Sequence, residues 1–169
     1  RAETIPIRTA NVPEEVGRFR IVQISDLHLG IIVREKRLKR ILEEVRAAAP
    51  DMLVSTGDLV DGETNNMLEL AELLRAIDPP YGKFAVTGNH EFYAGLDQAL
   101  AFTREAGFTV LRGERTDVGG FLTVAGVDDP TARTYRIRAG APETELLAGL
   151  PGSRFTVLLK HQPSVLASS

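Results

Sequence analysis

Residues 21–30 read IVQISDLHLG. An apolar, β-branched run ends abruptly in Ser-Asp-Leu-His, so a strand over 19–24 is predicted to open straight into a polar loop. The same punctuation returns twice. Met52, Leu53 and Val54 run into Thr56-Gly57-Asp58, and Phe84, Ala85 and Val86 run into Gly88-Asn89-His90. Between these runs, Leu38, Ile41, Leu42 and Val45 recur at the spacing of one helix face until Pro50 stops the pattern. Leu70, Leu73, Leu74 and Ile77 repeat that spacing before Pro79-Pro80, and a third helix is expected over 96–106. Beyond it the pattern predicts short strands at 109–111 and 121–125, with Gly119-Gly120 as a turn. A short helix near 143–150 and a last strand at 155–159 follow.

Strands alternating with helices imply βαβ units, an α/β fold and a mainly parallel sheet. No composition shift, repeat or low-complexity tract divides the 169 residues, so one domain over 1–169 is expected, its core beginning near residue 19. At 43% apolar residues the chain can bury a sizeable core. A net charge of -3 argues against general nucleic-acid binding by a basic surface. No apolar run approaches the roughly 18 residues needed to cross a bilayer, so the segment is expected to be soluble as it stands. The absence of cysteine excludes disulfides, thiolate zinc sites and cysteine nucleophiles.

In open α/β sheets, ligands bind at the carboxyl ends of the strands. That rule collects Asp26, His28, Asp58, Asn89 and His90 on one rim, and Lys160-His161-Gln162-Pro163 follows the last strand. All three histidines of the chain fall in these clusters. One Asp-x-His triplet is weak evidence, but four clusters that each follow an apolar strand are hard to explain by chance. Oxygen and imidazole donors without sulfur suit Mn²⁺, Zn²⁺, Fe or Mg²⁺. Two divalent ions sharing a carboxylate sit roughly 3.5–4 Å apart, which clamps both oxygens of an in-line displacement at phosphorus. The neutral Asn89, where another carboxylate could stand, keeps such a site positive and attractive to phosphate.

Asp26-x-His28, Gly57-Asp58-x-x-Asp61, Gly88-Asn89-His90-Glu91 and the later His161 resemble, in order, the signature of the calcineurin-like metallophosphoesterases. The stretches around them are most similar to the bacterial YkuE-type branch. The resemblance implies a four-layer αββα sandwich with two divalent metal ions, Mn²⁺ favoured, that hydrolyses phosphoesters through a metal-bridging hydroxide. It implies that Asp26 and His28 bind the first ion, that Asp58 bridges, and that Asn89 and His161 bind the second. His90 would face the substrate and protonate the leaving oxygen, with Asp61 orienting it; a cap or turn role competes for Asp61. Glu91 is expected to cap or pack the loop.

Gly62 stands where the protein Ser/Thr phosphatases carry an arginine, which disfavours a phosphoprotein substrate. A phosphodiester or a small phosphorylated molecule is the expected substrate, and a non-catalytic metal- or phosphate-binding scaffold is the alternative. A dinucleotide-binding module is disfavoured, because the loop after the first strand has no glycine-rich phosphate turn. The family closes its metal site on a Gly-His-x-His motif, and no histidine follows His161. The chain also begins at Arg1, so a longer protein, the C-terminal part of the domain included, is expected to supply the remaining ligands. Relatives of this branch often carry a signal or membrane segment upstream, which leaves membrane contact and localisation open. Three smaller features complete the reading. The basic run Arg34, Lys36, Arg37, Lys39 and Arg40 reads as a solvated helix face, with an anionic lipid or substrate contact as the alternative. Asp128-Asp129-Pro130 reads as a loop near the site or a plain turn. Phe92 and Tyr93 either line the cleft or pack beneath it.

Overall fold

Alternation along one strand organises the layers of the molecule. The computed structural model describes residues 3–30, 33–62 and 67–162. Its elements are β1 (Ile21–Ile24), β2 (Leu29–Gly30), α1 (Glu35–Ala47), β3 (Met52–Ser55), β4 (Val60–Asp61), α2 (Met67–Arg75), β5 (Lys83–Ala85) and α3 (Asn89–Ala94). They continue with α4 (Leu96–Glu105), β6 (Thr109–Val110), β7 (Glu114–Val118), β8 (Leu122–Gly126), α5 (Thr131–Thr134), α6 (Glu143–Leu147) and β9 (Phe155–Leu159). Strands β1, β3, β5 and β6 form one parallel sheet in that order. A second sheet has the order β7-β8-β9, with β7 antiparallel and β9 parallel to β8.

Successive side chains of a strand point to opposite faces. Leu53 on β3 packs with Leu38, Leu42, Val45, Leu70 and Leu74 of the helices, whereas its neighbours Met52 and Val54 pack with Phe84, Leu122 and Val124 between the sheets. The far face of the second sheet is covered by α6, where Leu146 meets Ala125 and Val127. The layers are therefore helix, sheet, sheet, helix, the αββα sandwich expected. Gly126 sets how closely the sheets approach: a Cβ there would stand 2.5 Å from Leu111 Cβ and 2.6 Å from Val86 Cγ1.

Strands β1, β3, β5, β6, β8 and β9 and the helices α1, α2, α4 and α6 fall where periodicity puts them, within a few residues. The added elements have physical reasons. Strand β7 reads Glu-Arg-Thr-Asp-Val and buries only Val118, so a polar edge strand hides its alternation. Helix α3 opens on Asn-His-Glu, which reads as a turn. The basic run on α1 is exposed and Lys39 pairs with Glu35, as a solvated face requires. Among the described residues, no helix is long and apolar enough to cross a membrane.

Lys83 enters the core from β5 and is buried. Its Nζ donates to the carbonyls of Leu74 (2.9 Å) and Ala106 (2.8 Å), where α2 and α4 end, and lies 5.2 Å from the Phe108 ring centroid. One amine thus satisfies two helix C-termini. Burial pulls its pKa down from 10.5 to about 8. Lys83→Met leaves both carbonyls without this donor and is expected to cost about 1–3 kcal/mol. The sign of the pH effect follows from linkage: between pH 8 and 10.5 the unfolded chain holds the proton and the folded chain does not, so stability rises with pH across that window. The advantage of the wild type over Lys83→Met should therefore widen from pH 8 to 10.5. Urea unfolding at both ends of the window checks this, and a constant gap would contradict it.

Candidate metal centre

The loops after β1 and β3 are zipped together by their own backbones. Asp26 N–H donates to the Gly57 carbonyl (3.1 Å), His28 N–H to Asp58 (2.9 Å) and Leu29 N–H to Leu59 (2.9 Å). The short strands β2 and β4 extend this ladder, pairing Gly30 with Asp61. To make the turns, Asp26, His28 and Asp58 adopt φ of +54°, +48° and +50°, in the left-handed region. Non-glycine residues held there cost about 1 kcal/mol or more each and cluster at functional sites. Two glycines let the third loop close in. A Cβ on Gly57 would stand 2.5 Å from Gly88 N, and one on Gly88 would stand 2.1 Å from Asp58 Oδ1. Only glycine permits that contact.

The closure brings Asp26, His28, Asp58, Asn89, His90 and His161 into one cluster. His28, Asp58 and His90 place donor atoms within 4.8 Å of one another, and so do Asp26, Asp58 and His161. Asp58 belongs to both groups and is only 3% exposed. Its Oδ2 lies 3.8 Å from His28 Nε2 and 3.4 Å from His161 Nε2, while its Oδ1 accepts from His90 N–H at 2.9 Å. Asn89 Oδ1 is 3.2 Å from His161 Nε2. Asp26 is exposed and accepts from Ser25 Oγ. Pro163, the last residue of the fourth sequence cluster, lies outside the described residues.

Three features of this cluster fit a divalent cation. His161 Nδ1 is 2.9 Å from the Thr56 carbonyl, which can only accept, so Nδ1 carries the proton. In the neutral ring, Nε2 then turns a lone pair toward Asn89 Oδ1 and Asp58 Oδ2, a crowd of donors that a cation resolves. A histidine whose other nitrogen is fixed by a carbonyl is the usual arrangement for a metal ligand. The His28 Nδ1 is buried with no hydrogen-bond partner among the described residues, Asp61 Oδ2 lying 3.7 Å away. The donor set holds oxygen and imidazole nitrogen alone, which suits borderline and hard divalent ions.

Around the cluster, His90 and Asp61 form a separate pair. His90 Nδ1 stands 2.9 Å from Asp61 Oδ1, and this hydrogen bond holds the imidazole above its ordinary pKa against partial burial. Beneath them, Glu91 is 2% exposed, and its carboxylate accepts backbone N–H groups from Asp58 (3.0 Å), Leu59 (2.7 Å), Val60 (3.2 Å) and Gly88 (2.7 Å). Burial pushes its pKa up, with these N–H groups pulling the other way. The expected capping role of Glu91 is thus a bridge between two loops. Phe92 is buried and Tyr93 exposed, which separates the two readings left open for that pair.

A further support comes from the Asp128-Asp129 stretch. Asp128 receives Arg112 through both oxygens, each at 2.9 Å, and accepts from Thr87 Oγ1 at 2.9 Å. Asp129 N–H donates to the same Thr87 oxygen at 3.1 Å. The Asp128-Asp129 loop therefore anchors the residue before Gly88, as a loop near the site should. Glu91→Gln places an amide nitrogen among donors and is expected to cost roughly 2–4 kcal/mol. An unchanged urea midpoint for that variant would refute the bridging role of Glu91.

Comparison with known proteins identifies the family. The model of the calcineurin-like phosphoesterase family matches residues 19–167. An uncharacterized metallophosphoesterase of Aquifex aeolicus (strain VF5) is 42% identical over 98% of this chain and 63% of its own length. The uncharacterized metallophosphoesterase YkuE of Bacillus subtilis (strain 168) is 30% identical over 93% of this chain and 55% of its own. A Danio rerio relative, named as a transmembrane protein with a metallophosphoesterase domain, is 32% identical over 94% of this chain and 38% of its own. The chain thus spans less than two thirds of the length of these curated relatives. One solved structure shares the fold at a TM-score of 0.56 and 14% identity, covering 86% of this chain and 70% of that one. The chain belongs to the calcineurin-like phosphoesterase family.

Proposed function

We propose that this chain carries the metal centre of a phosphoester hydrolase that acts on phosphodiesters or small phosphorylated molecules with two divalent ions, Mn²⁺ favoured. The observation that carries the reading is Asp58, a buried carboxylate common to two donor triads. On the family signature, Asp26 and His28 would hold one ion, Asn89 and His161 the other, and Asp58 both, a partition that divides the residues differently from the two triads, which group His28 with His90 and Asp26 with His161. When bound, the ions supply Lewis-acid polarisation of the phosphoryl group and positive charge against the negative charge that develops on it. The chain's own residues do the rest. Gly57 and Gly88 bring the loops close enough for one carboxylate to serve both sides. Asp61 fixes the His90 ring through Nδ1, which leaves Nε2 to deliver a proton to the leaving oxygen. The left-handed turns at Asp26, His28 and Asp58 hold the donors in place before substrate binds.

With Mn²⁺, the natural full-length protein is expected to hydrolyse a chromogenic phosphodiester and to hold about two ions per chain. Asp58→Asn should lower both the metal content and the rate, the rate by about a hundredfold or more. Equal activity in that variant would refute the shared-carboxylate reading. A folded protein that holds no metal would instead favour a non-catalytic scaffold. The proton-delivery role has its own signature. A p-nitrophenolate leaves without help, whereas an alkoxide needs a proton. Asp61→Asn is therefore expected to slow an alkyl-leaving ester roughly tenfold to a hundredfold while changing a p-nitrophenyl ester less than about threefold. Equal losses on the two esters would make Asp61 a structural residue only.

A further inference from the structure

An aromatic ledge leads out of the metal cluster. The His28 and His90 rings meet edge to face with centroids 4.5 Å apart. Tyr93 follows at 5.4 Å from His90, and Tyr135 at 6.0 Å from Tyr93. The line begins on the loop after β1, passes the ring paired to Asp61, and ends on two tyrosines from separate elements: Tyr93 in α3 and Tyr135 at the end of α5. These tyrosines are 56% and 50% exposed. The chain's remaining tyrosine, Tyr81, packs against Phe19 and Phe121 instead. Neither exposed ring is needed to fill the core, and neither is a candidate metal ligand.

Exposed aromatic faces recognise two chemistries: planar rings by stacking, and cationic headgroups by cation–π attraction. Charge chooses between them. Arg133 and Arg136 flank Tyr135, both are exposed, and neither side chain has a hydrogen bond or ion pair among the described residues. Two free guanidinium groups repel a quaternary ammonium and favour an anionic phosphoester. Position selects the arm of the substrate. His90, the ring next to Tyr93, is the residue assigned to the leaving oxygen, so whatever that oxygen carries extends over the tyrosines.

We propose that Tyr93 and Tyr135 form a subsite for an aromatic or heteroaromatic ring on the leaving arm of the phosphoester, a specificity that rests on the hydrolase reading above. Benzylphosphonate and ethylphosphonate test it, because both mimic the ester arm and only one carries a ring. Each is used as a competitive inhibitor of bis(p-nitrophenyl) phosphate hydrolysis by the natural full-length protein with Mn²⁺. Saturation-transfer NMR on the benzyl protons gives a second readout of ring contact. The wild type should bind the benzyl compound about tenfold tighter than the ethyl compound, a preference of the size stacking supplies. The Tyr93→Ala, Tyr135→Ala double variant should narrow that preference to within about twofold and lose the transfer signal, while Tyr135→Phe keeps both. A wild type that hydrolyses the ester but shows no benzyl preference overturns the ledge alone, as does a double variant that keeps the preference. A wild type that neither hydrolyses the ester nor binds either phosphonate overturns the hydrolase reading itself.

Discussion

A carboxylate removed from water must find donors, and Glu91 finds four of them in the backbone. Three belong to the loop after β3 and one to the start of α3, so a single buried side chain joins two otherwise separate pieces of chain. The meeting of Asp58 with Asn89 and His90 depends on that joint. Asp58 and Val60 are held by the same group that holds Gly88, and Gly88 in turn sits against the Asp58 carboxylate. Asn89 and His90 begin the helix that Glu91 caps. The cluster is therefore positioned from below by an anion that takes no part in binding.

The division of labour among the acids follows burial. Glu91 lies beneath the loops, Asp58 at their junction, Asp61 half-buried beside His90, and Asp26 exposed at the rim. Each has a different partner: backbone N–H groups for Glu91, two histidines and a backbone N–H for Asp58, an imidazole for Asp61, a hydroxyl for Asp26. Carboxylates this close repel one another, and Asp58 adds to the upward shift of Glu91. Spreading them over distinct donors is what lets the loops stay packed.

Much of this was legible in the sequence, and what was not has clear causes. Strands β3 and β5 are buried between layers and read as apolar runs, the edge strand β1 keeps an apolar run with only Ile24 fully buried, and polar residues after all three stand out as rim residues. Strand β7 is an edge with one buried side chain, and nothing in Glu-Arg-Thr-Asp-Val alternates strongly enough to reveal it. Helix α3 left a usable trace, since Gly88 followed three residues later by Glu91 is the spacing of a helix-start cap. Asp128 stood out in its loop, but its partners Arg112 and Thr87 did not, because the contacts join residues far apart in sequence and those two look like ordinary polar residues. The aromatic line to Tyr135 is equally nonlocal. One-dimensional pattern reports periodicity and local caps, and only packing assembles partners from different loops.

The left-handed turns at Asp26, His28 and Asp58 bear on the order of events as well as on geometry. Their conformations are held by backbone hydrogen bonds and glycine contacts within the protein. The unfavourable backbone energy is thus met when the chain folds rather than when the cation arrives. An ion bound there would meet turns already shaped by the fold, so little of its binding free energy would go into bending the backbone.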